Sequence, residues 1–222
     1  MERIVEPELM DDEEQSLAYA QANFEEPHNH FIELFKQKIG HNIGNNILDL
    51  GCGTGDITIR FAKAYSNCNI DGIDGSKTML FYAYKDVANF DDNIISRINF
   101  IEGILPETSL PLSDYDVIIS NSLYHHLHNP FVLWKSIQKY GKKGTKIFIM
   151  DLLRPDNMKK ANELVENYVK NEPQILQRDF LNSLCAAFSL SEVKQQLTSL
   201  NLDYLSIEKI SDRHFIVYGE LA

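Results

Sequence analysis

Short apolar runs alternate with amphipathic stretches along most of the chain. Between about residues 8 and 39, Leu17, Tyr19, Ala20 and Phe24, then Phe31, Leu34, Phe35 and Ile39, recur at three- and four-residue spacing. That is the period of helices burying one face. Pro27 predicts a break between two of them. Turn residues fill 40–46, and Ile47-Leu48-Asp49-Leu50 then reads as a short buried strand. A helix over 56–65, a strand over 69–74 and a helix over 77–88 follow, the last with Ser76 as a plausible N-cap. Strands over 98–102, 116–120 and 146–151 and a helix over 130–140 continue the rhythm.

Strands that alternate with helices in this way predict an α/β fold with a doubly wound, mostly parallel sheet. The rhythm lapses over 156–187, where two helical stretches, about 157–171 and 174–187, follow one another with no strand between them. A helix over 191–200 restores it. The last two strands, 203–210 and 213–219, are joined by the short turn Ile210-Ser211-Asp212-Arg213. A parallel crossover needs about a dozen residues, so this pair must be antiparallel. The expected organisation is one domain over 1–222: an N-terminal helical cap (1–39), a core (40–155 and 188–222) and a helical lid insertion (156–187).

Composition adds limits. With 44% apolar and 24% charged residues the chain reads as globular. The net charge is −11, and residues 1–26 alone carry nine acids against one base. The remainder is nearly neutral. An acidic chain disfavours nucleic acid and anionic membrane as partners, because both need a basic footprint. Cys52, Cys68 and Cys185 lack metal-site or disulfide spacing and read as reduced thiols. No apolar run has the length of a membrane span, and no basic-then-apolar leader is evident, so the expectation is a cytoplasmic protein.

The motif with most chemical content is Asp49-Leu50-Gly51-Cys52-Gly53-Thr54-Gly55, between a strand and a helix. Its glycines permit a sharp turn and a close ligand approach, at the strand end where nucleotide-like ligands bind. A dinucleotide fingerprint ends in glycine or alanine so that a pyrophosphate can sit on the helix N-terminus. Here that position is Asp56, with Asp49 on the other side of the loop. Two carboxylates disfavour a pyrophosphate and suit a ligand with cationic groups, such as S-adenosylmethionine. Asp74, at the end of the next strand, is placed to accept from ribose hydroxyls.

The segments ILDLGCGTG (47–55), IDGS…ML (73–80) and DVIISNSLYHHL (116–127), with the two final strands, resemble a class I S-adenosylmethionine-dependent methyltransferase over roughly residues 40–219. The resemblance implies a seven-stranded Rossmann-like sheet in the order 3-2-1-4-5-7-6 with only the seventh strand antiparallel. It implies S-adenosylmethionine as methyl donor, leaving as S-adenosylhomocysteine. Gly51, Gly53 and Gly55 would cradle its methionine part, Asp49 would orient its amino group and Asp74 would hold the ribose. Gly75 and Ser76 would lie near the adenosine, with Met79 on the purine and Tyr19 folding over the carboxylate. Asn121 and Ser122 would line the methyl-transfer channel. Many such enzymes carry Gly-Asp after strand three; here the pair is Gly103-Ile104, so backbone groups and apolar packing would hold the adenine.

The acceptor is expected to be a small molecule presenting an oxygen, nitrogen, sulfur or carbon nucleophile. The Asn/Asp-Pro-Pro-aromatic turn of amino-methylating nucleic-acid enzymes is replaced by Ser120-Asn121-Ser122-Leu123, although tRNA modification stays open as an alternative. His125 and His126 sit at the expected acceptor mouth, where a neutral imidazole can take a proton; they can equally pack or cap. Arg154 can clamp a substrate carboxylate or phosphate, or serve an internal ion pair. No metal is expected, since a catechol-type site would need an acid at Asn121. A non-catalytic S-adenosylmethionine-binding protein is the rival reading, and oligomeric state is open.

Overall fold

The computed structural model describes all 222 residues. Seven strands form one sheet: β1 (Asn46–Leu50), β2 (Asn69–Asp74), β3 (Ile98–Glu102), β4 (Tyr115–Asn121), β5 (Gly141–Leu152), β6 (Ser206–Lys209) and β7 (His214–Glu220). Their order is 3-2-1-4-5-7-6. β7 runs antiparallel to both β5 and β6, and every other pairing is parallel. The short turn at 210–213 and the sheet order implied by the resemblance therefore agree.

The strands are apolar on both faces because helices cover both. On one face Leu48, Leu50, Ile118 and Ile147 meet Leu133, Trp134 and Ile137 of α6 (Phe131–Tyr140) and Val193 and Leu197 of α9 (Leu190–Ser199). On the other, Ile47, Val117 and Phe148 pack against Phe31 and Phe35 of α2 (Glu25–Lys38) and Phe61 of α3 (Asp56–Ala64). Strand alternation puts Asp49 on the second face with Ile47, buried beneath α3.

α1 covers Glu13–Gln21. The break before α2 falls at 22–24 and not at Pro27, which occupies the first turn of α2. A proline is tolerated there because first-turn N–H groups have no intrahelical acceptor. Leu17, expected on the apolar stripe, is exposed. β5 begins five residues earlier than expected. Tyr115 pairs with Gly141, and the register then jumps to Val117 against Lys146. The jump is a bulge, and Gly144 supplies the positive φ, +85°, that absorbs it. His125 and His126 lie on a single 3₁₀ turn, Tyr124–His126.

α4 (Lys77–Val87) follows β2, a short α5 (Asp92–Ile95) precedes β3, and the stretch after β5 holds α7 (Met158–Tyr168) and α8 (Gln174–Ala186). α1 lies between α4 and α8. No helix is long and apolar enough to cross a membrane.

The acidic leader is strapped to the core. Arg3 donates to the carbonyls of Ala186, His125 and Leu127 at 2.5, 2.8 and 2.9 Å, and its guanidinium lies 3.9 Å from the Phe188 ring centroid. Ile4 N–H donates to the Cys185 carbonyl, and the Glu8 carboxylate accepts from His128 N–H. The one base among nine leader acids is thus the anchor that lays residues 1–12 along the carboxyl ends of the strands.

Candidate active site

A single cavity of about 1490 Å³ opens at that end of the sheet. One wall is the loop after β1. Gly51 and Cys52 N–H both donate to the Ile73 carbonyl, tying the loop to β2. Gly51 has φ +71°, and a Cβ there would stand 2.7 Å from Leu123, so the close approach of the two loops requires glycine. A Cβ on Gly53 would meet nothing within 4 Å; that glycine faces open cavity. Gly55 does not line the cavity, and a Cβ on it would run into Phe100, so its absent side chain serves packing between α3 and the sheet.

Asp74 closes this wall. Its Oδ2 accepts from Gly53 N–H at 2.8 Å and its Oδ1 from Ser76 N–H at 2.8 Å. Burial and the nearby Asp11 raise its pKa against the pull of those N–H donors. Asp49 is deeper. Burial pushes its carboxyl up to about 7, with Asp74 adding to the rise, although Thr58 Oγ1 donates to it at 2.6 Å. Asp56 differs: burial raises its pKa, but bonds from His28 (2.5 Å) and Arg60 (3.0 Å) outweigh it and hold the carboxyl low. Because Arg60 meets its charge, Asp56 repels an anion less than its position in the sequence suggests.

Gly75, Met79, Gly103, Ile104, Asn121, Ser122 and Tyr19 all line the same cavity. Burial, with Asp56 and Asp74 adding to it, pushes the Tyr19 hydroxyl up to about 12. Ser76 does not line the cavity. It caps α4 through Met79 N–H and donates from Oγ to the Met10 carbonyl, fixing the leader beside β2. Leu9 packs so closely on Gly75 that a Cβ there would stand 2.6 Å from it.

The opposite wall holds the histidines. His125 Nδ1 pairs with Asp151 Oδ1 at 2.6 Å, and its Nε2 faces Glu6 Oε1 at 3.7 Å. Burial lowers its pKa, but the two carboxylates prevail and raise it overall. His126 Nδ1 lies 3.4 Å from Glu6 Oε1. Burial, with the neighbouring His125, lowers its pKa to about 3, so it is neutral. Burial raises the Glu6 carboxyl against the influence of His125. Glu6, His125 and His126 bring three ligand atoms within 4.8 Å of one another, the one such group in the chain able to take a metal ion.

Arg154 is a correction. Its guanidinium donates to Glu192 at 2.8 Å and to the Ala187 carbonyl at 3.3 Å, outside the cavity lining. Strand β5 ends at Leu152, and the chain then turns toward α9, which carries the residue away from the site. Its partner is neither Asp151 nor a leader acid. The residues missed in the sequence are Glu6, Leu9 and Met10 of the leader and Asp179 of α8, all on the cavity. The leader's hydrophobic pattern gives no hint of this, since a strap held by Arg3 has no period.

A family model described as a methyltransferase domain matches residues 41–202. The chain is 34% identical over 87 residues to the malonyl-acyl-carrier-protein O-methyltransferase of Halalkalibacterium halodurans, which covers 38% of this chain and 30% of that protein. It is 24% identical over 119 residues to a probable (S)-tetrahydroprotoberberine N-methyltransferase of Papaver bracteatum, covering 53% and 32%. The chain thus spans about a third of the length of these curated relatives. Among solved structures, a SAM-dependent methyltransferase described as such from Methanococcus maripaludis superposes with TM-score 0.71 at 19% identity, over 99% of this chain and 97% of that one. A plantazolicin methyltransferase, solved with a pentazolic desmethylPZN analogue and SAH, gives TM-score 0.71 at 18% identity over 94% and 90%. These structural likenesses show the fold, and the family match adds descent. The chain belongs to the methyltransferase-domain family that this model describes.

Proposed function

We propose that this cavity transfers the methyl group of S-adenosylmethionine to a small-molecule nucleophile held against the Glu6–His125–His126 wall. The observation that carries the reading is that one continuous cavity joins the glycine loop and Asp74 to that wall. The residues suit the donor. Gly53 leaves open space, Asp74 offers a buried carboxylate to ribose hydroxyls, and Asp49 offers one to an ammonium. Gly51, Gly75, Met79, Gly103, Ile104 and Tyr19 would surround the rest, with Asn121 and Ser122 at the methyl channel. When bound, the sulfonium supplies an activated methyl and its own leaving group. The protein's task is to bring the acceptor in line, exclude water and take up a proton where one must leave. Residues 1–39 would act as the cap and 156–187 as the lid that excludes water.

The direct test is binding and turnover of the purified protein. S-adenosylmethionine and S-adenosylhomocysteine should each raise the melting temperature, as a ligand of the native state must, and NADH should not. The opposite pattern would end the methyltransferase reading of the cavity. Binding without label transfer from methyl-labelled donor across a broad acceptor panel would favour a non-catalytic binder.

Asp49 makes the binding pH-dependent. With its carboxyl titrating at about 7 in the free protein, it is mostly protonated at pH 6 and ionised at pH 8. An ammonium requires the ionised form, so affinity must fall as the pH drops through 7. The limit of that fall is about tenfold per pH unit. S-adenosylhomocysteine titrated calorimetrically should bind about five- to tenfold more weakly at pH 6 than at pH 8. Asp49→Asn should bind weakly and with a flat profile. A flat wild-type profile would separate Asp49 from the amino group.

A further inference from the structure

Five buried side-chain polar atoms in the chain have no hydrogen-bond partner, and four of them, Glu6 Oε1, Asn121 Oδ1, His126 Nδ1 and Asp179 Oδ2, belong to residues lining this cavity. Three are oxygens, acceptors in the amide and in the ionised carboxylates, and the fourth is an acceptor whenever the neutral His126 ring carries its proton on Nε2. A buried acceptor left unpaired is costly. A ligand that completes this wall must therefore bring hydrogen-bond donors.

The wall is also negative. Glu6 Oε2 accepts from Ser183 Oγ at 3.4 Å, and Asp179 lies one turn before Ser183 on the same face of α8. The two carboxylates are neighbours: beyond the effect of burial, the charge of Asp179 raises the Glu6 carboxyl. Their side chains are only 10% and 14% exposed. Apart from His125, whose Nε2 lies 3.7 Å from Glu6 Oε1, few cations answer them from inside. Arg178 reaches Asp179 Oδ1 at 3.2 Å from the solvent side, leaving Oδ2 turned inward. Arg213 lines the cavity but lies 3.4 Å over the Tyr168 ring and bonds Asp212. Arg3 spends its donors on backbone carbonyls behind His125.

We propose that this end of the cavity recognises a basic amine nitrogen between Glu6 and Asp179, so that the methyl acceptor is an amine and not an acid, phenol or alcohol. The proposal rests on the methyltransferase reading above and names its substrate class. A carboxylate or phosphate brings charge of the wrong sign and few donors or none, and a hydroxyl brings a single donor. An ammonium brings two or three donors and the countercharge. Reaction needs the nitrogen neutral. One proton of the ammonium passes to the Glu6 carboxylate, and the freed lone pair forms the N–C bond. The C–S bond breaks with its electron pair going to sulfur. The products are the methylated ammonium, S-adenosylhomocysteine and one proton, which Glu6 returns to water. Asp179 takes no part in the proton transfer and is a binding residue.

A divalent ion on Glu6, His125 and His126 is the competing occupant. It would leave the Asp179 and Asn121 oxygens unanswered, which is why the amine is favoured.

Three probes of one shape decide it: phenethylamine, 2-phenylethanol and phenylacetate, each titrated into S-adenosylhomocysteine-loaded protein in EDTA and followed by ligand-observed NMR. Phenethylamine should bind and the other two should not. Glu6→Gln and Asp179→Asn should each weaken phenethylamine about tenfold or more, since each removes one charge-assisted bond. Both variants should keep their affinity for S-adenosylhomocysteine within about twofold. The proposal is overturned if phenylacetate or 2-phenylethanol binds as well as the amine, or if loaded protein binds no amine. It is also overturned if EDTA abolishes amine binding, or if neither variant matters. Failure to bind S-adenosylhomocysteine would instead overturn the underlying methyltransferase reading, and calorimetry without any probe reports that separately.

Discussion

Replacing Asp74 with alanine will weaken S-adenosylhomocysteine binding on the order of 100-fold, while the ligand-free protein keeps its stability within about 1 kcal/mol. The first half follows from what the carboxylate offers. In a site closed to water, a hydrogen bond to an ionised group contributes about 1.5–3 kcal/mol. Losing the two ribose hydroxyl bonds proposed for it therefore removes roughly 3 kcal/mol, or about two decades of affinity. The same carboxylate also holds Gly53 and Ser76 N–H at 2.8 Å each, so the loop loses preorganisation as well. The second half follows from the raised pKa of Asp74, whose burial and proximity to Asp11 make its charge costly in the free protein. Removing a penalised charge offsets the loss of two backbone bonds that cavity water can replace. Calorimetric titration and chemical denaturation of the same preparation check both halves. A loss of less than about fivefold would take Asp74 out of the ribose site. A parallel collapse in stability would make it a structural residue.

That pairing of lost binding with retained stability sorts what the sequence could and could not convey. The placement of Asp49, Gly51, Gly53 and Asp74 on one cavity was legible because it is fixed locally. A strand must end, a loop must turn at positive φ, and a carboxylate one strand over must face the turn. The parallel α/β class followed from rhythm and the antiparallel last pair from the four-residue turn before β7, whereas the sheet order came from the family resemblance. Gly55 and Ser76 belong to the same two segments, 47–55 and 73–80, yet they serve packing and capping, because spacing alone cannot tell a glycine facing a ligand from one facing Phe100. Arg154 misled for a related reason. Its distance along the chain from β5 was right, but the direction the chain takes after Leu152 depends on α9.

The acceptor wall was the least legible part. Its histidines come from the β4 loop, Asp151 from β5, Asp179 from α8 and Glu6 from the leader, separated by up to 173 residues of chain. Nothing in the local pattern around Glu6 distinguishes it from the eight other acids of residues 1–26. The distinction is made by Arg3, three residues earlier, whose three carbonyl bonds place Glu6 against His125. An acidic leader that reads as solvated surface thereby supplies one buried carboxylate to the site.

Asp151 carries the largest stability effect expected in this wall. It is 1% exposed and accepts from Tyr124 N–H at 2.7 Å, from Leu152 N–H at 2.8 Å and from His125 Nδ1 at 2.6 Å. Alanine there leaves two backbone donors and a buried imidazole without their acceptor. Breaking such a pair from one side costs about 3–5 kcal/mol. Asparagine should cost less, because its amide oxygen can keep part of the set. The pH dependence gives the sign. His125 has its pKa raised above the ordinary value of 6.5 by the two carboxylates, so its folded form holds a proton that its unfolded form gives up sooner. The stability this contributes is fully present below about 6.5 and fades as the pH rises through the folded value. The gap between wild type and Asp151→Ala in urea denaturation should therefore be wider at pH 6 than at pH 9. A gap under about 1 kcal/mol, or one that widens with pH, would mean that His125 is held by its backbone and by Arg3, with Asp151 a bystander.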